Sequence, residues 1–411
     1  MYSQKKIQET LDAFAAREGW MPTPHSLDEV NEFKAYINLT VEIGSNSKNS
    51  WIESVKPISS KRQKEIKRWV ENEQAMCAID SGYFESRYAY IVNECGTITK
   101  FKNRKSQEVL DLIISDLEDR GSSIELLILG SRQSGVFTKV MLKIMHRLLF
   151  SPNTHSIVAS VTHEKSTLIT SFIDKAYDKL PWWLIPIKNN KGKFNNGSGL
   201  SVQSTSQKTG LAQGFTPNAV YVTNIESIPN PTRVIEEGLL RAVFSSSNTF
   251  LVLHGNKVTE NGWFTDAYRS AKEYWPKGFS RLCPVFIPWV VSTDIYPQPD
   301  WLKAYPIPND WKPNDITIEH KKRCENFIRS TPYLSKIMGD HWEMPTEQQW
   351  WWEDGYKQAE DRKNLEDFLI RFPPDDGDNK KDVTEDIELD EIFPDSKTIQ
   401  EKVALARRKE I

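Results

Sequence analysis

The sequence predicts an α/β protein: a mainly parallel sheet flanked by helices. Three observations carry this. The short apolar runs Ile124–Leu129 and Ala219–Val222 have the composition of strands buried on both faces. Helical patterns lie between such runs, and strands alternating with helices favour parallel pairing. A glycine loop, Gly130 to Gly135, leads straight from the first run into a helical pattern.

Composition bounds the rest. A chain of 411 residues has room for two or three domains. Apolar content of 38% and charged content of 27% suit an ordinary globular protein. No stretch approaches the roughly 20 apolar residues of a membrane span, and the first residues carry charge where a signal peptide needs an apolar core. An intracellular protein without membrane partners is expected. Cys77, Cys95, Cys283 and Cys324 are scattered without a CxxC pair, so free thiols are expected rather than a zinc knuckle or disulfides. A net charge of −3 argues against a high-affinity, sequence-reading nucleic-acid binder.

Along the chain, residues 1–70 read as a polar helical lead-in. Ile7, Leu11 and Phe14 fall at helical spacing, and Ser26 with Glu29 makes a capping box. Residues 86–101 read as strand-turn-strand around Gly96. Residues 106–119 form an amphipathic helix with Val109, Leu110, Ile113 and Leu117 on one side. After the strand 124–129 and the glycine loop, Val140, Met141, Ile144, Leu148 and Leu149 mark the next helix. A strand at 157–161, a helix at 163–179, strands at 200–204 and 219–222, a helix near 232–243 and a strand at 250–253 continue the alternation. From about 295 prolines recur, which predicts a lid or linker with little regular structure. A helix is expected from Thr346, capped with Gln349, to about Ile370. Beyond Pro373 and Pro374 the chain is acidic and reads as a solvated tail.

The chemistry concentrates at Gly130-Ser131-Arg132-Gln133-Ser134-Gly135. Its spacing is that of a Walker A phosphate loop, whose N–H groups and following helix N-terminus cradle phosphates. A plain tight turn is the competing reading. The next two positions call for Lys and Ser or Thr, and here they are Val136 and Phe137. Neither supplies a cation for the phosphates or a hydroxyl for Mg²⁺. Thr138 lies one step too far, a turn of about 100°, and Lys139 is displaced as well. Arg132 is the cation best placed to compensate. The strand 219–222 ends in Thr223-Asn224-Ile225-Glu226, where a Walker B strand places its acids. Asn224 cannot take a proton at neutral pH, and Glu226 lies two residues further on.

In this order the motifs resemble one family, the large terminase subunits of tailed phages, over roughly residues 60–375. Phe101 to Gln107 is similar to the family's adenine-binding segment, with Gln107 as the base-reading residue. Ser131 to Gly135 resembles its phosphate loop, Val158 to Glu164 and Leu180-Pro181 its following elements, and residues 197–202 and 210–216 its approach to Walker B. Thr223 and Asn224 fall on the Walker B acids. His254-Gly255-Asn256 with Asn261 to Phe264 resembles the coupling motif, with Asn256 as its polar candidate. Residues 284–296 and 344–373 resemble later segments.

The resemblance implies a P-loop NTPase-like fold in which residues 71–295 form the ATPase domain, 296–374 a lid or linker and 375–411 a tail. It implies ATP and Mg²⁺ as cofactors. Gln107, Gly130, Ser131, Arg132, Gln133, Ser134, Gly135, Val136, Phe137, Thr138 and Thr223 would line the nucleotide. Thr138 and Thr223 supply the hydroxyls for Mg²⁺, and Asn224, Glu226 and Asn256 stand at the catalytic positions. Implied partners are double-stranded DNA, the portal protein, the small terminase subunit and a nuclease on a separate chain, in the cytoplasm of an infected bacterium. The tail is too short for the family's nuclease domain, so either the nuclease lies on a separate chain or this sequence is a fragment.

Three functions compete: a pseudo-ATPase component of DNA packaging, a working packaging motor that uses Arg132 and groups from a neighbouring subunit, and an unrelated α/β binding protein or helicase-like NTPase. For His163 and His254 a loop or core role is expected. Trp350, Trp351 and Trp352 read as lid packing or a portal contact, and Arg233 and Arg241 as surface charge.

Overall fold

In the computed structural model the description covers residues 75–376, apart from 94–95, 181–183, 185–192, 195, 206–210, 213, 215, 257–261 and the side chains of 163–168. The helical lead-in 1–70, Cys95, Asn261 and the tail beyond Asp376 lie outside it.

The sheet is where the apolar runs placed it. Six strands pair in parallel: β3 (Ile124–Gly130), β4 (His155–Ser160), β5 (Gly199–Ser204), β6 (Ala219–Thr223), β7 (Phe250–Gly255) and β8 (Cys283–Ile287), in the spatial order β5-β4-β6-β7-β3-β8. Every residue of β3, β6 and β7 is buried, as the unbroken runs required. A separate hairpin, β1 (Tyr90–Val92) with β2 (Ile98–Lys100), turns near Gly96, whose φ of 75° suits a residue without Cβ. The expected segment 86–101 starts too early. Ser86 to Tyr88 finish helix α1 (Ser81–Tyr88), which Asp80 caps through the N–H groups of Gly82 and Tyr83.

Helices α2 (Lys105–Asp119), α3 (Val136–Phe150) and α4 (His163–Tyr177) belong to one core with the sheet face that carries Leu126, Ile128, Tyr221 and Val252. The other face, with Leu127, Val220, Val222 and Leu253, packs against Ile235 and against Phe264 of α5 (Trp263–Tyr274). The helical residues singled out by spacing on α2 and α3 are all buried.

Three further expectations are corrected. The helix near 232–243 is π-helical over Thr232–Leu239, followed by one α-turn at Leu240–Ala242. Its wider coil is set by tertiary packing, which residue spacing does not report. Residues 296–374 are largely helical: α6 (Pro299–Ala304), α7 (Asp315–Ser330), α8 (Pro332–Met338), α9 (Thr346–Asp361) and α10 (Leu365–Arg371). Pro299 and Pro332 sit in first helical turns, where proline costs nothing. The long helix breaks at Lys363, which has a φ of 55°, and its N-cap is Pro345 rather than a Thr346 box. Gln349 donates instead to the Met344 carbonyl at 2.7 Å.

These C-terminal helices share the sheet's core through Trp289, Cys324, Leu334 and Trp352, with His320 stacked on Trp352 at 3.9 Å. Trp351 packs on Trp289 and Tyr296, and Trp350 on Trp311. Cys77, Cys283 and Cys324 are buried. Among the described residues no helix is long and apolar enough to cross a membrane.

Candidate nucleotide site

Parallel pairing sends β3, β7 and β6 to the same carboxyl edge, and β7 lies between the other two. Thr223 is in register with His254, and His254 with Ile128, so the loop after β3 and the turn after β6 open onto one crevice. At about 4.8 Å per strand the two ends stand roughly 10 Å apart.

The loop is held from outside. The Tyr296 hydroxyl donates to the Arg132 carbonyl, Arg104 to that of Gln133 at 3.4 Å, Ser106 to that of Ser134 at 2.6 Å, and Gln107 Nε2 to that of Gly135 at 2.9 Å. Four consecutive carbonyls are thus turned away from the loop's interior. In a planar trans peptide the N–H points opposite to the C=O. The N–H groups of Gln133, Gly135 and Val136 therefore face the other way, beside the unpaired first turn of α3. Ser131 anchors the loop's start by donating its N–H to the Ile287 carbonyl at 3.2 Å. Gln133 and Gly135 take positive φ, 60° and 77°. A Cβ on Gly135 would stand 2.5 Å from the Gln107 amide nitrogen, so glycine is required there.

The same contacts fix Gln107. Its Oε1 accepts from the Arg104 N–H at 3.0 Å while its Nε2 holds Gly135, so both ends of the amide expected to read a base grip backbone. Arg104 also pairs with Asp294 at 2.8 Å. Arg132 is exposed, and among the described residues its guanidinium joins no ion pair. Burial pushes the Tyr296 phenol up to about 12, against the pull of Arg132, so it stays a donor.

Val136 is buried. The Phe137 ring lies edge-on to Phe172 of α4 at 5.5 Å and tilted against Tyr221 of β6 at 6.1 Å. Lys139 faces away from the loop, fully buried against Glu85 of α1, with Asp111 of α2 at 2.5 Å and Asn103 at 3.0 Å. Lys143 joins the group at 2.8 Å from Asp111 and 3.5 Å from Glu85. Burial raises the Glu85 carboxyl even beside two ammonium groups. Burial works against the Asp111 carboxylate too, but the two lysines hold its pKa below the usual range.

At the far side Asn224 adopts the left-handed conformation, with a φ of 56°, and starts the 3₁₀ turn Ile225–Ser227. The Glu226 carboxylate comes beside Gly255 and Phe264, 3.1 Å from where a Gly255 Cβ would stand. Phe264 belongs to the face opposite α3. Asn256 follows β7, half-buried.

The fit of the implied cofactors divides. A phosphate fits the nest and Arg132. Mg²⁺ does not: Phe137 offers carbon where an oxygen ligand is needed and Asn224 is neutral, which leaves only the neutral hydroxyls of Thr138 and Thr223 from the expected set. The sequence reading passed over the residues that hold the loop: Arg104, Ser106, Asp294 and Tyr296. Their only sequence signal is the polar cluster at 103–107.

Strand order, loop position and nest together define a P-loop NTPase-like α/β fold. No family model matches the sequence, and no curated protein matches it. Solved structures similar to it include the HK97 bacteriophage large terminase, at 13% identity and a TM-score of 0.43, covering 72% of this chain and 54% of that one. The ATPase domain of the Thermus phage P74-26 large terminase is similar at 14% identity, with TM-scores of 0.33 for an arginine-to-alanine variant and 0.31 without the substitution. These cover 49% and 44% of this chain, and 91% and 82% of theirs. The chain spans about half the length of the HK97 protein.

Proposed function

We propose that this chain is an ATPase-fold component of viral DNA packaging, of the terminase large-subunit type, that binds nucleotide phosphates but hydrolyses ATP weakly or not at all. One observation carries the reading. Four outside donors hold the loop in a phosphate-receiving shape, while the residues around it are unsuited to turnover. Lys139 is committed to a buried ion cluster and Phe137 to an aromatic contact. Asn224 can orient a water but cannot take its proton. The motif order supports the packaging context, with double-stranded DNA, a portal protein and a small terminase subunit as partners in the cytoplasm of an infected bacterium. On this reading residues 296–374 form a lid that moves little, because they share the sheet's core.

Calorimetric titration with ATP in Mg²⁺ and in EDTA, beside phosphate release with and without duplex DNA, tests this. Comparable binding in both buffers without turnover is expected. Turnover near 1 s⁻¹, within the ordinary enzyme range, refutes it. The exposed Arg132 favours the second reading, an active translocase completed by a neighbouring subunit. On that reading activity rises steeply with protein concentration and is lost in Arg132→Ala.

A further inference from the structure

Among the described residues the two most exposed large apolar side chains, Phe244 at 70% and Phe279 at 68%, stand at the amino edge of the sheet, opposite the nucleotide loop. Thr249, the residue before β7, donates its hydroxyl to the Phe244 carbonyl. Phe279 lies just before β8, and its N–H donates at 2.9 Å to the carbonyl of Tyr274, the last residue of α5. Arg281 ties the two turns together, since its guanidinium donates to the carbonyls of Leu240 at 2.8 Å and Val243 at 3.0 Å. The two phenylalanines therefore flank one arginine, with the exposed Tyr274 at the helix end beside Phe279. Apolar surface gathered in this way marks a contact site. Its surroundings are basic: from 269 to 281 the chain carries Arg269, Lys272, Lys277 and Arg281 against one acid, Glu273. Arg281 is balanced by the buried Glu125, and Lys277 lies 3.4 Å from Glu273. Arg269, and Arg241 on the Phe244 side, are exposed.

The chain itself supplies a segment of matching chemistry. Asp376, the last described residue, pairs at 2.7 Å with Lys272 of α5, two residues before Tyr274. The tail therefore departs from the helix that carries one side of the patch. Residues 382–393, Asp-Val-Thr-Glu-Asp-Ile-Glu-Leu-Asp-Glu-Ile-Phe, interleave acids with apolar side chains and hold no cation. We propose that this segment covers the patch, laying Ile387, Leu389, Ile392 and Phe393 on Phe244, Tyr274 and Phe279 with its carboxylates toward the surrounding Lys and Arg. Charge alone would keep such a stretch in water, and its apolar residues are what give it a surface to bury. The linker 377–381 extends up to roughly 17 Å, about three turns of helix, which lets it pass the end of α5. A tether that short raises the segment's effective concentration to about the millimolar range, so weak contacts suffice.

The test places a photo-reactive benzophenone side chain at position 279, and separately at position 244, in the full chain. Both positions are exposed, so the core is left alone. After irradiation, mass spectrometry of the digest should find one or both positions joined to the peptide that holds residues 382–393. Mixing ¹⁴N- and ¹⁵N-labelled chains separates a link within one chain from a link between copies, and the expected link lies within one chain. Replacing Ile387→Ser and Phe393→Ser together removes two apolar anchors and should abolish it. The proposal is overturned by a link that runs between copies, that joins only other segments, that survives the double substitution, or that forms from neither position.

Discussion

Replacing Lys139 with alanine should destabilise the fold without touching nucleotide binding. A reader of motifs meets Lys139 as a phosphate-loop lysine displaced by three positions. The structure places it at 0% exposure between Glu85 and Asp111, with Lys143 completing a group of two ammonium and two carboxylate charges. Removing one ammonium leaves two carboxylates facing Lys143 alone. Breaking a buried pair by deleting one partner costs about 3–5 kcal/mol, because the remaining charge stays desolvated. At about 2 °C per kcal/mol for a domain of this size, the melting temperature should fall by roughly 6–10 °C. Circular dichroism melts give that number, and titration with ADP at low temperature gives the binding of the folded protein. The double variant Lys139→Met with Glu85→Leu, which removes both charges, should regain most of the loss. An unchanged melting temperature together with lost ADP binding would refute the reasoning, since Lys139 would then reach the phosphates.

Gly135→Ala should cost about 1–2 kcal/mol for the left-handed backbone alone. Displacement of Gln107 adds to this, so both melting temperature and ADP affinity should drop. If only stability changes, Gln107 does not hold the loop in shape. Val136→Lys, Phe137→Thr and Asn224→Glu together should convert metal-independent binding into Mg²⁺-dependent binding, read as a new gap between titrations in Mg²⁺ and EDTA. The same affinity in both buffers would count against the part assigned to Phe137. Acid should destabilise the protein. Burial lowers His146 and His320 to about 3 and His254 to about 4, against 6.5 for the free side chain. The unfolded chain therefore binds more protons as pH falls below 6.5, and stability declines from there toward pH 4. At pH 5.5 each histidine contributes about 1.4 kcal/mol, roughly 4 kcal/mol together. Melting temperatures level between pH 7.5 and 5.5 would contradict this.

How much of this could be read from residues alone follows from the range of the forces involved. The alternation of strands and helices was legible because burial writes its period locally. Val140, Met141, Ile144 and Leu148 repeat at 3.6 residues, whereas β3, buried on both faces, has no polar side to show. The glycine loop between β3 and α3 was legible for the same reason, its two glycines lying five residues apart in the chain. The π-helical turn and the helices after Pro299 were not. A proline at a first helical turn and one in a linker look alike without the partner they pack against.

By itself the sequence determined the sheet's strands, the loop between β3 and α3, and the presence of Val136, Phe137 and Asn224 rather than a cation, a hydroxyl and an acid around it. Only the tertiary structure decided what the remaining groups are free to do. Lys139 is withdrawn by Glu85, which is 54 residues away in the chain, and Gln107 spends its amide on Gly135. Whether a side chain offers its proton, charge or lone pair depends on the solvent and partners around it, and those neighbours are assembled by folding.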